Sequence, residues 1–245
     1  MYHSREYCQI RHTHLYYLSR GSIETCVFLD GVGMMRTKVS ILTEKRFSKL
    51  ENIGSIVVSV DGKSVINMRS CREFGDTSAK DLPFRLKAHK RDFSESSGFS
   101  GYPLGSSFII KNSDLQEQSV IATVIPSSFR GYERDKQIRI LYEAYIGCLK
   151  NSVSLGRKKV ALPLLGIESR NCEVECIIVA IISAIMDFTT HTNSLEEICI
   201  VVKDRKERRL ILGWLSRVAN TFGLKSIWYR KSTDFADERL ELRLC

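Results

Sequence analysis

The second half of the chain alternates between two periods, and that rhythm restricts the fold more than any other feature. Asp135 to Ser154 has helical spacing, with Ile138, Leu141, Tyr142, Tyr145, Ile146 and Leu149 on one side. The apolar run Val160-Ala161-Leu162-Pro163-Leu164 reads as a strand. A helix from about Cys172 to Thr189 follows, then the strand Glu197 to Val202. An amphipathic helix over 205–222 comes next, with Leu210, Ile211, Trp214, Leu215 and Val218 facing inward. Upstream, Ser55 to Val60 (SIVVSV) is nearly continuous in β-branched residues, the mark of a strand buried on both faces. Strands that alternate with helices predict an α/β sandwich on a mixed, largely parallel sheet.

The remaining segments fit around that frame. Lys38 to Leu42 reads as a strand, and Ser106 to Asn112 and Ser119 to Ile125 as two more, with Asn112-Ser113-Asp114 as a hairpin-like turn. Thr77 is an N-cap for a helix to about Arg91, with Pro83 inside it as a break or kink. Residues 1–35 show no sustained period and read as an N-terminal extension. Residues 36–222 form the main domain. Residues 223–245 add a C-terminal strand around Trp228 and Tyr229 and a polar tail, read as a helix.

Composition narrows the chemistry. With 245 residues and 43% hydrophobic content, the chain suits one domain with extensions. A formal charge of +9 favours anionic partners such as nucleotides, nucleic acid or acidic lipid. None of the eight cysteines forms a C-x-x-C pair, and the five histidines do not gather near Cys172 and Cys176. Cys148, Cys176 and Cys199 sit in apolar runs, where cysteine behaves as a small hydrophobe. The expectation is reduced thiols, no metal site and no cofactor. No apolar run reaches the length of a membrane span, and the polar start MYHSREYCQI is unlike a signal peptide. That predicts an intracellular protein, cytoplasmic or nuclear, with no membrane partner. G-x-S-x-G, P-loop and G-x-G-x-x-G patterns are missing; Gly62-Lys63-Ser64 ends like a P-loop, but Val57 stands where its first glycine belongs.

Four pieces together resemble the macro domain, the ADP-ribose-binding module. KVSIL followed by NIGSIVVSVDG is similar to that family's first two strands. GYPLGSSFIIKNSDL is similar to its glycine-containing loop and strand. SVIATVIP resembles its Val-Ile-His-Thr-Val-Gly-Pro strand, with Ala122 for the histidine and Ile125 for the glycine. LYEAYIGCLKNSVSLGRKKVALPLLG resembles its helix and the strand ending in Pro-Ala-Leu-Gly. The resemblance spans about Arg36 to Asn220 and implies a three-layer α/β/α sandwich.

The ligand loops depart from that pattern. A lysine lies at or beside the place where the family's adenine-binding aspartate is expected, in Thr43-Glu44-Lys45-Arg46. Ser59-Val60-Asp61-Gly62 has no counterpart of the hydrolytic Asn-Ala-Ala-Asn. Phe74-Gly75-Asp76 keeps one phosphate-loop glycine and adds a repelling carboxylate. The second phosphate loop reads Gly166-Ile167-Glu168-Ser169-Arg170-Asn171, with two of three glycines gone. Glycine matters there because backbone N–H groups must come close to phosphate, often at positive φ. Glu168 adds the wrong charge. Arg170 offsets part of the loss, because guanidinium binds phosphate well, and the helix near Cys172 offers a positive end.

The resemblance therefore implies a divergent binding module for ADP-ribose, a related nucleotide or an ADP-ribosylated protein, with Gly75, Gly166, Ser169, Arg170 and Asn171 as its ligand-binding residues. Binding is favoured over catalysis, and no catalytic residue is assigned. Two alternatives stay open. One is an RNA-binding degenerate macro domain using the clusters Arg85-Lys87-Lys90-Arg91, Arg157-Lys158-Lys159 and Lys203-Arg205-Lys206-Arg208-Arg209. The other is an ADP-ribosyl hydrolase, in which Lys87 or Lys90 attacks the sugar carbon and Glu168 moves protons.

Overall fold

The computed structural model describes residues 7–10, 13–16, 37–43, 53–61, 87, 89, 101–110, 119–192, 194–221, 230–231 and 240–242. Within the stretch read as an extension, β1 (Tyr7–Ile10) and β2 (Thr13–Tyr16) pair antiparallel as a small sheet of their own.

The main sheet collects β3 (Lys38–Thr43), β4 (Ser55–Val60), β5 (Ser107–Ile110), β6 (Ser119–Val124), β7 (Lys159–Pro163), β8 (Glu197–Val202), β9 (Arg230–Lys231) and β10 (Leu240–Leu242). Their order is β5-β6-β4-β7-β8-β3-β10-β9. From β6 to β3 every neighbouring pair is parallel. β5 pairs antiparallel with β6, as the expected hairpin requires, although its connecting turn at 112–114 lies outside the described residues. The six strands from β5 to β3 form the expected mixed, largely parallel sheet, and β10 and β9 extend it antiparallel beyond β3.

Strand periodicity divides the core into two faces. Val57, Ile121, Val160, Leu162, Ile198 and Ile200 point to one face, against α1 (Arg134–Ser154), α2 (Val174–His191) and α3 (Arg205–Thr221). Val58, Ala122, Ala161, Cys199 and Val201 point to the other, with Tyr102 and Phe108. His89, from a helical segment, stacks on Phe108 at 4.5 Å and hydrogen-bonds Tyr102 at 2.5 Å on that side. Of the helix expected over 77–91, only Lys87 and His89 are described, and both are helical. The central strands thus carry apolar residues on both faces because both faces are covered.

Helix α2 is strongly apolar. Ile177, Ile178 and Ile181 are completely buried, and each contributes about 1.5–3 kcal/mol through burial. Its 18 residues are long and apolar enough to cross a membrane, which corrects the expectation that no segment reaches that length. Here that apolar surface packs in one core with α1 and the sheet. Tyr142 on α1 donates to Asp187 on α2 at 2.5 Å, which ties the two helices together. All six residues expected on the inner side of α1 are buried.

Three local expectations are corrected. Helix α2 begins at Val174 instead of Cys172, after an extended Glu173. Leu210 is 38% exposed, although it was expected inward with Ile211 and Trp214. Among the described side chains of α3 Ile211 is fully buried and Trp214 is half-buried; the side chains of Leu215 and Val218 lie outside the description. Leu240–Leu242 is a strand where the polar tail was read as helix, since the edge of β3 offers unpaired backbone groups that a local propensity cannot anticipate.

Candidate functional site

Five parallel strands deliver their carboxyl ends to one edge of the sheet, where an open α/β fold places its ligand. Two described loops dominate that edge. One follows β6 and runs to the start of α1 at Arg134; the other follows β7 and runs to the start of α2 at Val174. Lys203 and Asp204 follow β8 at the same edge.

These two loops are zipped together. Arg170 N–H donates to Ser127 O at 3.0 Å, and Phe129 N–H donates to Arg170 O at 2.7 Å. Ser169 Oγ donates to Pro126 O at 2.6 Å. Gln137, buried on α1, donates to Tyr132 O at 3.0 Å and accepts from Glu173 N–H at 3.3 Å, so it spans both loops. Beneath them, Tyr145 donates to Pro163 O at 3.1 Å and accepts from Leu165 N–H at 2.7 Å. The β7 loop is therefore fixed from both sides.

Within that loop Gly166 is buried at φ 87°. A side-chain carbon there would stand 3.1 Å from both Cys172 Sγ and Leu141 Cδ2. Glycine is demanded by both conformation and space. Asn171 adopts φ 59°, a left-handed turn that asparagine tolerates better than most residues. The amides of Leu165, Ile167, Ser169 and Arg170 already donate within the chain. The loop thus makes a tight turn at Gly166 while committing many of its donors internally.

The expected site residues fall as follows. Gly166, Ser169, Arg170 and Asn171 come together on the β7 loop. Arg170 and Asn171 are exposed, and Ser169 uses its hydroxyl as a staple between loops. Gly75 lies outside the described residues, as do Asp76 and Lys45. Glu168 has a role the sequence concealed: it forms an ion pair with Lys203 at the end of β8. The charge read as repelling a ligand is countered by that lysine. The sequence signal for Lys203 was its position directly after a parallel strand. The positive end expected near Cys172 instead carries Glu173 and Glu175, and Arg134 pairs with Glu175 at 2.9 Å. These carboxylates occupy the favourable end of the helix dipole.

The cysteines next to the loop are quiet. Burial pushes the Cys172 thiol up to about 12 and the Cys176 thiol up to about 11, so both stay protonated near neutrality. Among the described residues no group of histidine, cysteine and carboxylate side chains is arranged to hold a metal ion.

The basic clusters do not form one surface. Arg157 donates through Nε and Nη2 to Ser119 Oγ, and Lys159 pairs with Glu197 at 3.5 Å. They lie at the amino-terminal edge of the parallel strands, opposite Lys203 and Arg205. In the Arg85 cluster Lys87 is exposed; Arg85, Lys90 and Arg91 lie outside the description.

An α/β sandwich whose parallel strands end in two stapled loops has the architecture in which ligands bind at the carboxyl ends of the strands. The macro domain family model matches residues 79–180, and the fold is that of solved macrodomains. A variant of the Oceanobacillus iheyensis macrodomain solved with ADPR is 14% identical, with a TM-score of 0.62 over 77% of this chain and 97% of that one. The same macrodomain with ADP aligns with a TM-score of 0.62 at 14% identity, over 77% of this chain and 95% of that one. The macro domain of ganglioside induced differentiation associated protein 2 is 16% identical, with a TM-score of 0.59 over 77% of this chain and 85% of that one. No curated protein matches the sequence.

Proposed function

We propose that this macro domain is a binding module for ADP-ribose or a closely related adenosine diphosphate, free or attached to a protein, and that it does not hydrolyse its ligand. The observation that carries the reading is the β7 loop. It retains a buried glycine at φ 87°, is stapled to the β6 loop, and presents exposed Arg170 and Asn171 at the carboxyl edge of the sheet. Macrodomains of the same fold have been solved with ADPR and with ADP. In this chain a guanidinium takes over part of the work of missing backbone donors. A guanidinium supplies paired, charge-assisted hydrogen bonds to phosphate oxygens.

A binding role fits Glu168 better than a catalytic one. A carboxylate that shuttles protons needs access to the reacting atoms, whereas Glu168 is engaged with Lys203. Titration calorimetry of the protein with ADP-ribose tests the reading. Saturable binding is expected, weakened about tenfold in Arg170→Ala through loss of a charge-assisted contact. A flat titration at millimolar ADP-ribose overturns it. Release of ADP-ribose from a modified protein, abolished by Glu168→Gln, would overturn the non-hydrolytic part alone.

A further inference from the structure

Helix α3 presents a basic stripe that the ligand site does not use. Arg205, Lys206, Arg209, Leu210 and Gly213 are all exposed, while Ile211 is buried and Leu212 and Trp214 pack against the core. The exposed positions are spaced three and four apart, which makes them neighbours on one side of a helix. From Arg205 to Gly213 the stripe extends about 12 Å at the helical rise. The two acids beside it in sequence, Asp204 and Glu207, are already employed. Asp204 Oδ1 accepts from the N–H groups of Lys206 and Glu207, each at 2.8 Å, and Glu207 Oε2 accepts from Lys203 N–H at 2.8 Å. Both carboxylates therefore cap the helix and face its first turn. The stripe is left with three cationic side chains around Leu210, one of two large apolar side chains exposed among the described residues.

We propose that this stripe docks an acidic polypeptide segment of a partner protein. Charge complementarity selects an anion, and Leu210 selects one that also carries apolar side chains. The length matches about four residues of extended chain. A nucleic acid strand fits less well. It needs a longer basic track with aromatic side chains for its bases, and the Arg157 cluster lies at the opposite edge of the sheet with Arg157 and Lys159 engaged. Trp214 packs against the core. The proposal stands apart from the nucleotide-binding reading, since none of the stripe residues belongs to the β7 loop.

The test is fluorescence anisotropy with a labelled twelve-residue peptide of glutamates and two leucines. A glutamine-substituted copy and a twelve-nucleotide uridine RNA serve as comparisons. The acidic peptide is expected to bind, the glutamine copy at least tenfold more weakly, and binding is expected to fall as salt rises. Arg205→Glu with Arg209→Glu should weaken the acidic peptide about tenfold, while Arg157→Glu leaves it unchanged. A thermal melt of each variant confirms folding. Equal binding of the acidic and glutamine peptides, or equal loss in the Arg157 variant, overturns the proposal. Tighter binding of the RNA through Arg205 and Arg209 overturns the assigned partner.

Discussion

Gly166 shows how much one residue carries. Its φ of 87° excludes comfortable side chains, and its missing Cβ leaves room for Cys172 and Leu141. Gly166→Ala should destabilise the domain by about 1–3 kcal/mol and weaken ADP-ribose binding, measured by urea denaturation and titration. Tyr145 links α1 to the β7 loop with two hydrogen bonds, so Tyr145→Phe should cost about 1–3 kcal/mol in the same denaturation assay. Glu168 is the residue at which the sequence misled. Its charge was legible, but its partner lies 35 positions away, and only the sheet order brings β8 beside β7. Gly166, by contrast, was legible, because a lone glycine between an apolar strand and a helix marks a forced turn.

At the scale of elements, α3 is tuned at its start and slack in its middle. Asp204 caps the first turn through two N–H groups, so Asp204→Ala should lower stability by about 1 kcal/mol. A methyl group added at Gly213 would meet nothing within 4 Å, and Gly213→Ala should raise stability by about 0.4–1 kcal/mol. Thermal melts of the two variants should shift in opposite directions. Helices α1 and α2 and strands β4, β7 and β8 were readable from periodicity, since both burial and length agreed with a single element type. The tail strand β10 was not readable: three residues, Leu-Glu-Leu, carry no decisive period, and pairing with β3 decides their state. Removing residues 240–245 should leave the β3 edge unpaired and speed hydrogen exchange there, while α1 stays protected.

The whole molecule should respond to alkali through its buried thiols. Burial raises Cys199 from 9.0 to about 12 and Cys176 to about 11. A thiol with a raised folded-state value holds its proton more tightly when folded. Its contribution is complete below pH 9 and declines as the unfolded chain ionises, from pH 9 up to the folded value. The urea midpoint is therefore expected to fall steadily between pH 8.5 and about 10.5, while iodoacetamide labels Cys199 slowly at pH 8. A midpoint independent of pH over that range would contradict the assigned burial.

By itself the sequence determined the class of fold, because alternating periods of two and 3.6 leave few ways to bury every apolar face. It also determined where the chain would turn after β7, since Gly166 separates a buried strand from a buried helix. Tertiary structure alone decided which charges meet. Glu168 with Lys203, Arg134 with Glu175 and Lys159 with Glu197 join residues far apart in the chain. Periodicity reports how one element faces its surroundings; it holds no information about which other element will stand there. For that reason the frame of the site was visible in the chain, and its electrostatics emerged only when β8 and α2 closed around the β7 loop.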